Sequence, residues 1–525
     1  MPVPSQSERD AIVVGSGFGG AMVASALVRA GARVLLLERG GWVPRGDPAR
    51  DDVLGFFQWT EAYSRESSYL VRQGGRPVEE GICACVGGPS VFYGGASFRF
   101  RDGDFAPPPE IADGSDAAWP LAYMDLEPWY TRAERLLGVA GESGRDPTEP
   151  PRSGEFPQPP APLAPVSQRI WSAAEALGLH PFRIPLALNH TPAAGAVCSR
   201  CTTCDAYACW SGAKNDLATR VIEPLLASGL ALLTGRVVTR LVEEGGRIVA
   251  VEAVDRASGS LERHSAPRVV LAAGALASAH LLLASGLERR SPAGGHVGRH
   301  LMRHCNAFVY GVFPREPNPE RLHHKQVAVH DFYFGDPAAE RLGPKLGNIQ
   351  QIMAPQTGAA VRWLHAFGER GAWLRGPLAA GVRRVAGRMT GLQVIAEDQP
   401  RHVNRLVLGR GRDPYGLPRA EVHHRYTARD VAARRALARR ASQILRRAGA
   451  VATFAYPVTT FSHAVGTVRM GEDPATAPLD RECRFRGVEN LRVVDGSFMP
   501  FSAGVNPSLT IAANALRVGE QMARE

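Results

Sequence analysis

The alternation of apolar and polar positions opens with a short apolar run, Ala11–Val14, that stops at a cluster of glycines. An Ala-rich segment of helical period follows, then Gly31, then a second apolar run, VLLL at 34–37. Two short apolar runs around a helix read as a β-α-β unit of a parallel sheet. Two distant segments have the same character. RVVLAAGALASAHLL (268–282) reads as a strand, a small-residue turn and a helix. NLRVVDGSFMPFSAGVNPSLTIAANALRVGEQMA (490–523) reads as a strand ending at Asp495, a Gly/Pro loop, and a helix entered through Asn506-Pro507, where Pro suits the first turn. One sheet is thus expected to be assembled from remote pieces of chain. Between them, PTEPPRSGEFPQPPAPLAP (147–165) reads as an extended surface connection. Residues 306–313, 326–334, 391–397, 403–408 and 419–426 are β-rich and partly alternating, and predict a second, largely antiparallel sheet. ALARRASQILRRAG (436–449) predicts an amphipathic helix with a solvated Arg face.

Composition adds limits. A chain of 525 residues has room for three or four domain-sized units. With 45% hydrophobic and 21% charged residues it is an ordinary globular chain, which excludes disordered, collagen-like and small disulfide-stapled classes. Basic residues outnumber acidic ones 61 to 51, yet only Lys214, Lys325 and Lys345 are lysines. The arginines are scattered, with no basic run interleaved with aromatics and no helix-turn-helix pattern, so no nucleic-acid partner is expected. The first ten residues lack an apolar signal core and a twin-Arg pair, which points to a cytoplasmic location. VVLAAGALASAHLLLASGL (269–287) is uncharged, but His280 and two serines favour a strand, a turn at Gly274 and a buried helix over a membrane span.

The first glycine cluster carries chemistry. Gly15, Gly17 and Gly20 form G-x-G-x-x-G between strand and helix. Gly15 permits the tight turn, Gly17 lets a pyrophosphate approach the backbone, and Gly20 lets helix and strand pack closely. The helix N-terminus offers free N–H groups to phosphate. Glu38 ends the second strand 18 positions after Gly20, where a carboxylate can hold ribose hydroxyls and would repel a 2′-phosphate. FAD or NAD fits this site, with Ser16, Phe18 and Arg39 beside it.

With these residues in view, the chain resembles the glucose–methanol–choline (GMC) oxidoreductases, FAD-dependent alcohol oxidases and dehydrogenases, from Ile12 to about Arg517. CVGGPSVFYGGASFRFR (85–101) is similar to the family's flavin loop, and WPLAYMDLEPWYTRAERLLGVAG (119–141) to the segment after it. GALASAHLLLASGL (274–287) matches the second family signature, except at Ala279 and at the following Glu288. VGRHLMRH (297–304) and NRLVLGRGRDPYGLP (404–418) resemble further family blocks. The most specific match is SHAVGTVRMGEDPATAPLD with NLRVVDGSFMPFSAGVNPSLTI. It places the family's catalytic histidine on His463 and its partner on Asn506. The resemblance further implies an α/β chain of two parts. A discontinuous Rossmann-type FAD-binding domain with a parallel sheet would span 8–110, 190–300 and 456–525. A substrate domain with a largely antiparallel sheet, with connecting segments, would span 111–189 and 301–455. Cofactor contacts are expected from Gly87, Gly88, Ser90, Tyr93, Gly94 and Gly95 of the flavin loop, from the backbone of Val238, and from Ala273 and Gly274. Asp495, Gly496, Asn506, Pro507 and Ser508 complete the set. The loop departs from the pattern: Pro89 replaces a small residue and Tyr93 stands where Asn or His is usual. Phe92 stands where some members attach FAD through a histidine, so noncovalent FAD is expected.

Oxidising an alcohol needs a base for the hydroxyl proton and an acceptor for the α-hydrogen as hydride, which FAD supplies. A histidine can take that proton near neutral pH. An asparagine cannot, but it can donate a hydrogen bond to the developing alkoxide. A small or medium alcohol, polyol, sugar or secondary metabolite is the expected substrate, and oxygen or another acceptor reoxidises the flavin. VFYGGASFR with Gly212-Ala213-Lys214 is also similar to enzymes that oxidise a primary hydroxyl on aminosugars. Cys198, Cys201, Cys204 and Cys209 stand as C-x2-C-x2-C-x4-C. That run admits an iron–sulfur cluster, with Cys198, Cys204 and Cys209 as family analogues, a structural zinc site, or local disulfides and plain thiols. Rival classes are a flavin and iron–sulfur electron-relay subunit and an FAD-containing lyase without net redox.

Overall fold

A computed structural model describes residues 9–52, 54–63, 68–72, 77–192, 195–356, 358 and 375–525. The parallel sheet runs in the order Leu491–Val493, Arg268–Leu271, Ala11–Val14, Val34–Leu37, Ala231–Leu233. Ala11 pairs with Arg268 on one side and Val34 on the other, in register along the strands. The first two apolar runs are short and unbroken because both faces are covered: every residue of both strands is buried. Helix Phe18–Arg29 packs against helix Ser508–Arg524. Their approach is close enough that a Cβ at Gly519 would lie 2.8 Å from the Ala26 methyl. The apolar stretch at 269–287 resolves into the end of a strand, the Gly274 turn and helix Ala275–Ala284. Among the described residues no helix is long and apolar enough to cross a membrane.

The second sheet has six strands, all antiparallel, in the order Ala452–Pro457, Cys305–Val312, Met389–Ala396, Gly347–Ile352, Val327–Val329, Pro181–Arg183. Its alternation sorts the faces. Cys305, Ala307, Val309, Ile349, Leu392 and Val394 share one apolar cluster with helix Ala428–Arg447. That helix starts in a capping box of Thr427 and Asp430 and buries Ala433, Leu437, Ala441 and Ile444, leaving its arginine-rich side outward. Leu437 is fully buried there, and truncating it to Ala should cost about 2–5 kcal/mol. The opposite parity, including Asn306, Asn348 and Gln350, faces the C-terminal loop: Asn348 Nδ2 donates to Gly504 C=O at 2.8 Å.

The sequence expectation of one second sheet is corrected in part. Arg405–Arg412 and Pro418–His423 do not join the six strands. They form a hairpin whose second strand pairs in parallel with Ser68–Arg72, and Val78–Gly81 completes this separate four-stranded sheet. Local alternation signals a strand but not which edge it will find. A three-stranded antiparallel sheet, Arg236–Glu244, Arg247–Asp255 and Leu261–His264, carries Val238 in its first strand.

Candidate active site

The glycine turn is shaped for a phosphate. Gly15 has φ +95°, and a Cβ there would fall 2.5 Å from Ala272 C=O. At Gly20 a Cβ would fall 1.9 Å from Gly15 C=O, so strand and helix touch through glycine alone. At Gly17 a Cβ would meet nothing within 4 Å. The open space therefore lies at the helix N-terminus, where Gly17 is the cap, no side chain caps the helix and no carboxylate stands in the first turn. Such an end presents unclaimed N–H groups and a positive dipole to an anion.

Ser16 joins this turn to its neighbours. Its N–H and Oγ–H donate to Glu38 Oε2 at 3.0 and 2.6 Å, and its Oγ accepts from Gly87 N–H at 3.0 Å. Burial pushes the Glu38 carboxyl up, opposed by the Gly40 and Ser16 donors. Gly87 and Gly88 both take left-handed backbone, with φ +87° and +56°, and a Cβ at Gly88 would press on Gly17 Cα at 3.1 Å. Ser90 Oγ donates to Gly87 C=O and accepts from Leu217 N–H. Tyr93 packs edge-on against Phe18, and its hydroxyl donates to Asn215 C=O at 2.8 Å. Phe92 is buried beside Tyr63. Asp495 accepts from Gly274 N–H at 3.0 Å, Ser497 N–H at 2.9 Å and the Ser278 hydroxyl, which in turn accepts from Ala273 N–H. Gly496 C=O accepts from Gly466 N–H, and Ser508 Oγ donates to Ala96 C=O across the flavin loop. Gly94 and Gly95 lie beyond Tyr93, Val238 is buried, and Pro507 caps the last helix. Arg39 lies within electrostatic reach of Glu38, Tyr69 and His280. Glycine cradle, open helix end and buried acidic strand end suit an adenine dinucleotide.

His463 and Asn506 come together: Asn506 Nδ2 lies 3.4 Å from His463 Nε2. Two residues that sequence reasoning passed over fix their roles. His304 Nε2 faces Ser502 C=O at 2.9 Å and Ala503 C=O at 3.0 Å, so it carries the proton. Burial holds the His304 ring below its ordinary pKa, and its Nδ1 is therefore bare. That nitrogen lies 2.9 Å from His463 Nδ1, so His463 donates there and keeps Nε2 bare. Burial, then His304 and Lys325, hold His463 well below the usual histidine range. On the far side, Gln350 Nε2 donates to Asn506 Oδ1 at 3.2 Å, which turns the Asn506 amide nitrogen toward His463. The backbone is bolted down: Asp398 accepts from Arg303 and His304 N–H, and both His304 and Ala503 hold left-handed φ of +58°. His304 closes the block VGRHLMRH, a signal present in the sequence; Gln350 had none.

None of the eight cysteines is paired in a disulfide. Lys214 Nζ donates to Tyr93, Cys204 and Tyr207 carbonyls at 2.9, 3.1 and 2.7 Å, tying the cysteine loop to the flavin loop. Among the described residues, the only three ligating atoms within 4.8 Å of one another belong to His296, His300 and His402. Arg299, Arg469 and Arg405 act on those rings, a cationic setting that opposes a metal ion.

The GMC oxidoreductase models match residues 9–306 and 400–515. The chain belongs to the GMC oxidoreductase family. This GMC protein is 33% identical to 6'''-hydroxyparomomycin C oxidase of Streptomyces lividus, over 99% of this chain and 92% of that one. It is 31% identical to paromamine 6'-oxidase of Streptomyces fradiae, over 98% and 91%. It is 27% identical to 2-methyl-1,2-propanediol dehydrogenase of Mycolicibacterium austroafricanum, over 99% and 96%. Its fold matches crystalline pyridoxine 4-oxidase from Mesorbium loti at a TM-score of 0.67 and 19% identity, covering 99% of this chain and all of that one. As a GMC member it is an FAD-dependent oxidoreductase.

Proposed function

We propose that this enzyme oxidises a hydroxyl of a polar, ring-bearing alcohol to a carbonyl, with noncovalent FAD. The carrying observation is the chain of contacts from His304 through His463 and Asn506 to Gln350, which leaves one bare imidazole nitrogen beside one amide donor. His463 Nε2 takes the hydroxyl proton. Asn506 Nδ2 has a second hydrogen free to donate to the oxygen as it gains charge. The resulting imidazolium shares its Nδ1 proton with His304 and meets the charge of Asp398 beyond it. FAD, when bound on the Gly15–Gly20 turn, Glu38, Asp495 and the flavin loop, supplies the hydride acceptor and passes electrons to oxygen or another acceptor. Phe92 offers no nucleophile for a covalent flavin link. In this reading the cysteine run is structural, a loop pinned by Lys214. Two relatives named for paromamine and 6'''-hydroxyparomomycin C support an aminated sugar hydroxyl as the finer substrate.

The test is anaerobic bleaching of the bound flavin by alcohols. His463→Ala, folded and flavin-loaded, should bleach about 100-fold to 10,000-fold more slowly. Bleaching at the parent's rate in that variant refutes the assignment of the base.

A further inference from the structure

One ion pair within electrostatic reach of His463 takes no proton in the chemistry above. Lys325 Nζ lies 3.1 and 3.3 Å from the two oxygens of Asp205. The lysine side chain is 7% exposed and the aspartate 24%, so the carboxylate looks into open space while the ammonium is enclosed. The pair overlies the flavin loop. A Cβ at Gly94 would fall 1.7 Å from Asp205 Oδ1 and 2.5 Å from Lys325 Nζ, so this arrangement exists only because Gly94 has no side chain. Lys325 is also one of the charges that His463 feels. Asp205 is fixed through its backbone: Gln356 Nε2 donates to its C=O, and the next N–H, of Ala206, donates to Phe92 C=O at 2.7 Å.

The sheet face that carries Gln350 continues outward from this point. Strand register aligns Gln350, Gln393, Phe308 and Tyr456 in one row, and Ile352, Gly391, Tyr310 and Phe454 in the next. Tyr310 lies over Gly391, where a Cβ would fall 2.6 Å from its ring. Tyr310 and Tyr456 are stacked at 6.2 Å and 22°. Phe454 and Tyr456 are each 45% exposed, and Tyr310 lies within electrostatic reach of Asp205. Three buried acceptors on this face have no donor, Gln350 Oε1, Asn348 Oδ1 and Asn306 Oδ1. Buried acceptors without partners are costly unless something supplies the missing hydrogen.

Aromatic faces, orphan acceptors and an open carboxylate together suit a ligand rich in C–H faces and N–H or O–H donors and carrying positive charge. Ring faces attract cations and the apolar faces of sugars. A carboxylate has about four lone-pair positions, so Asp205 can hold Lys325 and still accept from a second ammonium. We propose that Asp205, held over the flavin loop by Lys325, forms an ammonium subsite. The substrate is then an aminated sugar or aminocyclitol whose amine rests on Asp205 while its hydroxyl reaches His463. This rests on the reading of His463 and Asn506 as an alcohol-oxidising pair.

The experiment uses the flavin-loaded enzyme and two probes: an aminoglycoside pseudodisaccharide with a free primary hydroxyl, and the same molecule N-acetylated. The parent should favour the amine in kcat/KM by about tenfold or more, the scale of one charge-assisted hydrogen bond. In Asp205→Asn that preference should collapse toward one, with the change in KM rather than in kcat for the amine. If Lys325, left unpaired, spoils folding of that variant, Asp205→Asn with Lys325→Met removes both charges and reads the same ratio. A preference that survives both variants overturns the subsite. So does a parent that oxidises simple alcohols and neither probe. If no alcohol of any kind bleaches the flavin, the alcohol-oxidising reading fails and the subsite falls with it.

Discussion

Consider His304→Leu. The leucine fills much of the ring's volume but removes the acceptor for His463 Nδ1–H and the donor to the Ser502 and Ala503 carbonyls. His463 then keeps only the long 3.4 Å approach of Asn506 Nδ2 to select its tautomer, and the form with the proton on Nε2, useless as a base toward substrate, becomes more available. A buried neutral hydrogen bond lost on one side is worth about 1–3 kcal/mol. If that energy is what favours the productive tautomer, the limiting rate of flavin bleaching should fall by roughly 5-fold to 150-fold. The loss should be smaller than that of His463→Ala, because the base itself remains. The assay is anaerobic stopped-flow at the flavin band with saturating alcohol, on protein matched for flavin content. A merely structural role would lower stability and flavin content without touching that rate. His304→Gln separates the two: its amide oxygen can accept from His463 while its nitrogen donates to the carbonyls, so it should recover part of the rate. A limiting rate in His304→Leu within twofold of the parent's refutes the tautomer argument.

Other outcomes follow from particular contacts. Gly17→Ala should fold with the parent's thermal midpoint, since its added methyl meets nothing within 4 Å, yet lose FAD; retention of full flavin would show the open space is not where the cofactor sits. Gly20→Ala, with its methyl 1.9 Å from Gly15 C=O, should fail in both folding and flavin content, as expression and absorbance will show. Lys345 is buried between Asp104 at 2.8 Å and Glu397 at 2.6 Å, and Glu397 also accepts from Ala503 N–H. Lys345→Met strands two buried carboxylates and should cost about 3–5 kcal/mol by denaturant titration. Burial holds His300 and His323 at about 3, against about 6.5 unfolded, so their neutral forms cost nothing above about pH 6.5. As pH falls through that value the unfolded chain takes protons that the folded one refuses, costing about 2 kcal/mol per ring at pH 5, visible as a falling thermal midpoint. Because His463 is likewise held low, the acid limb of kcat/KM should lie below pH 6.5, provided the protein stays folded there.

The parallel sheet and its glycine turn were legible because their signals are local. Glycines sit where a Cβ would strike Ala272 or Gly15 carbonyls, and unbroken apolar runs sit where both faces are covered. The hairpin at 405–423 was legible as strands but not as a partner of Ser68–Arg72, because edge pairing is decided more than 300 residues away in sequence. The polar residues around His463 were hidden for the same reason, yet one compositional trace of them exists. In a chain with 61 basic residues, only three are lysine, and all three are buried: Lys214 and Lys345 at 1% exposure, Lys325 at 5%. Each occupies a place where a compact ammonium with three donors fits and a planar guanidinium does not. Lys214 reaches three carbonyls at once, Lys325 pairs with Asp205 over Gly94, and Lys345 bridges two carboxylates. A surface position accepts either cation, so a bias toward arginine can sweep the surface clear of lysine; an enclosed site of this shape resists the exchange. The scarcity of lysine thus marks three interior anchors, one at the loop 85–101, one paired with Asp205 over Gly94 and one at the C-terminal loop. By that argument Lys→Arg at each should be more damaging than its charge conservation suggests, with Lys345→Arg lowering the thermal midpoint and Lys214→Arg loosening bound flavin.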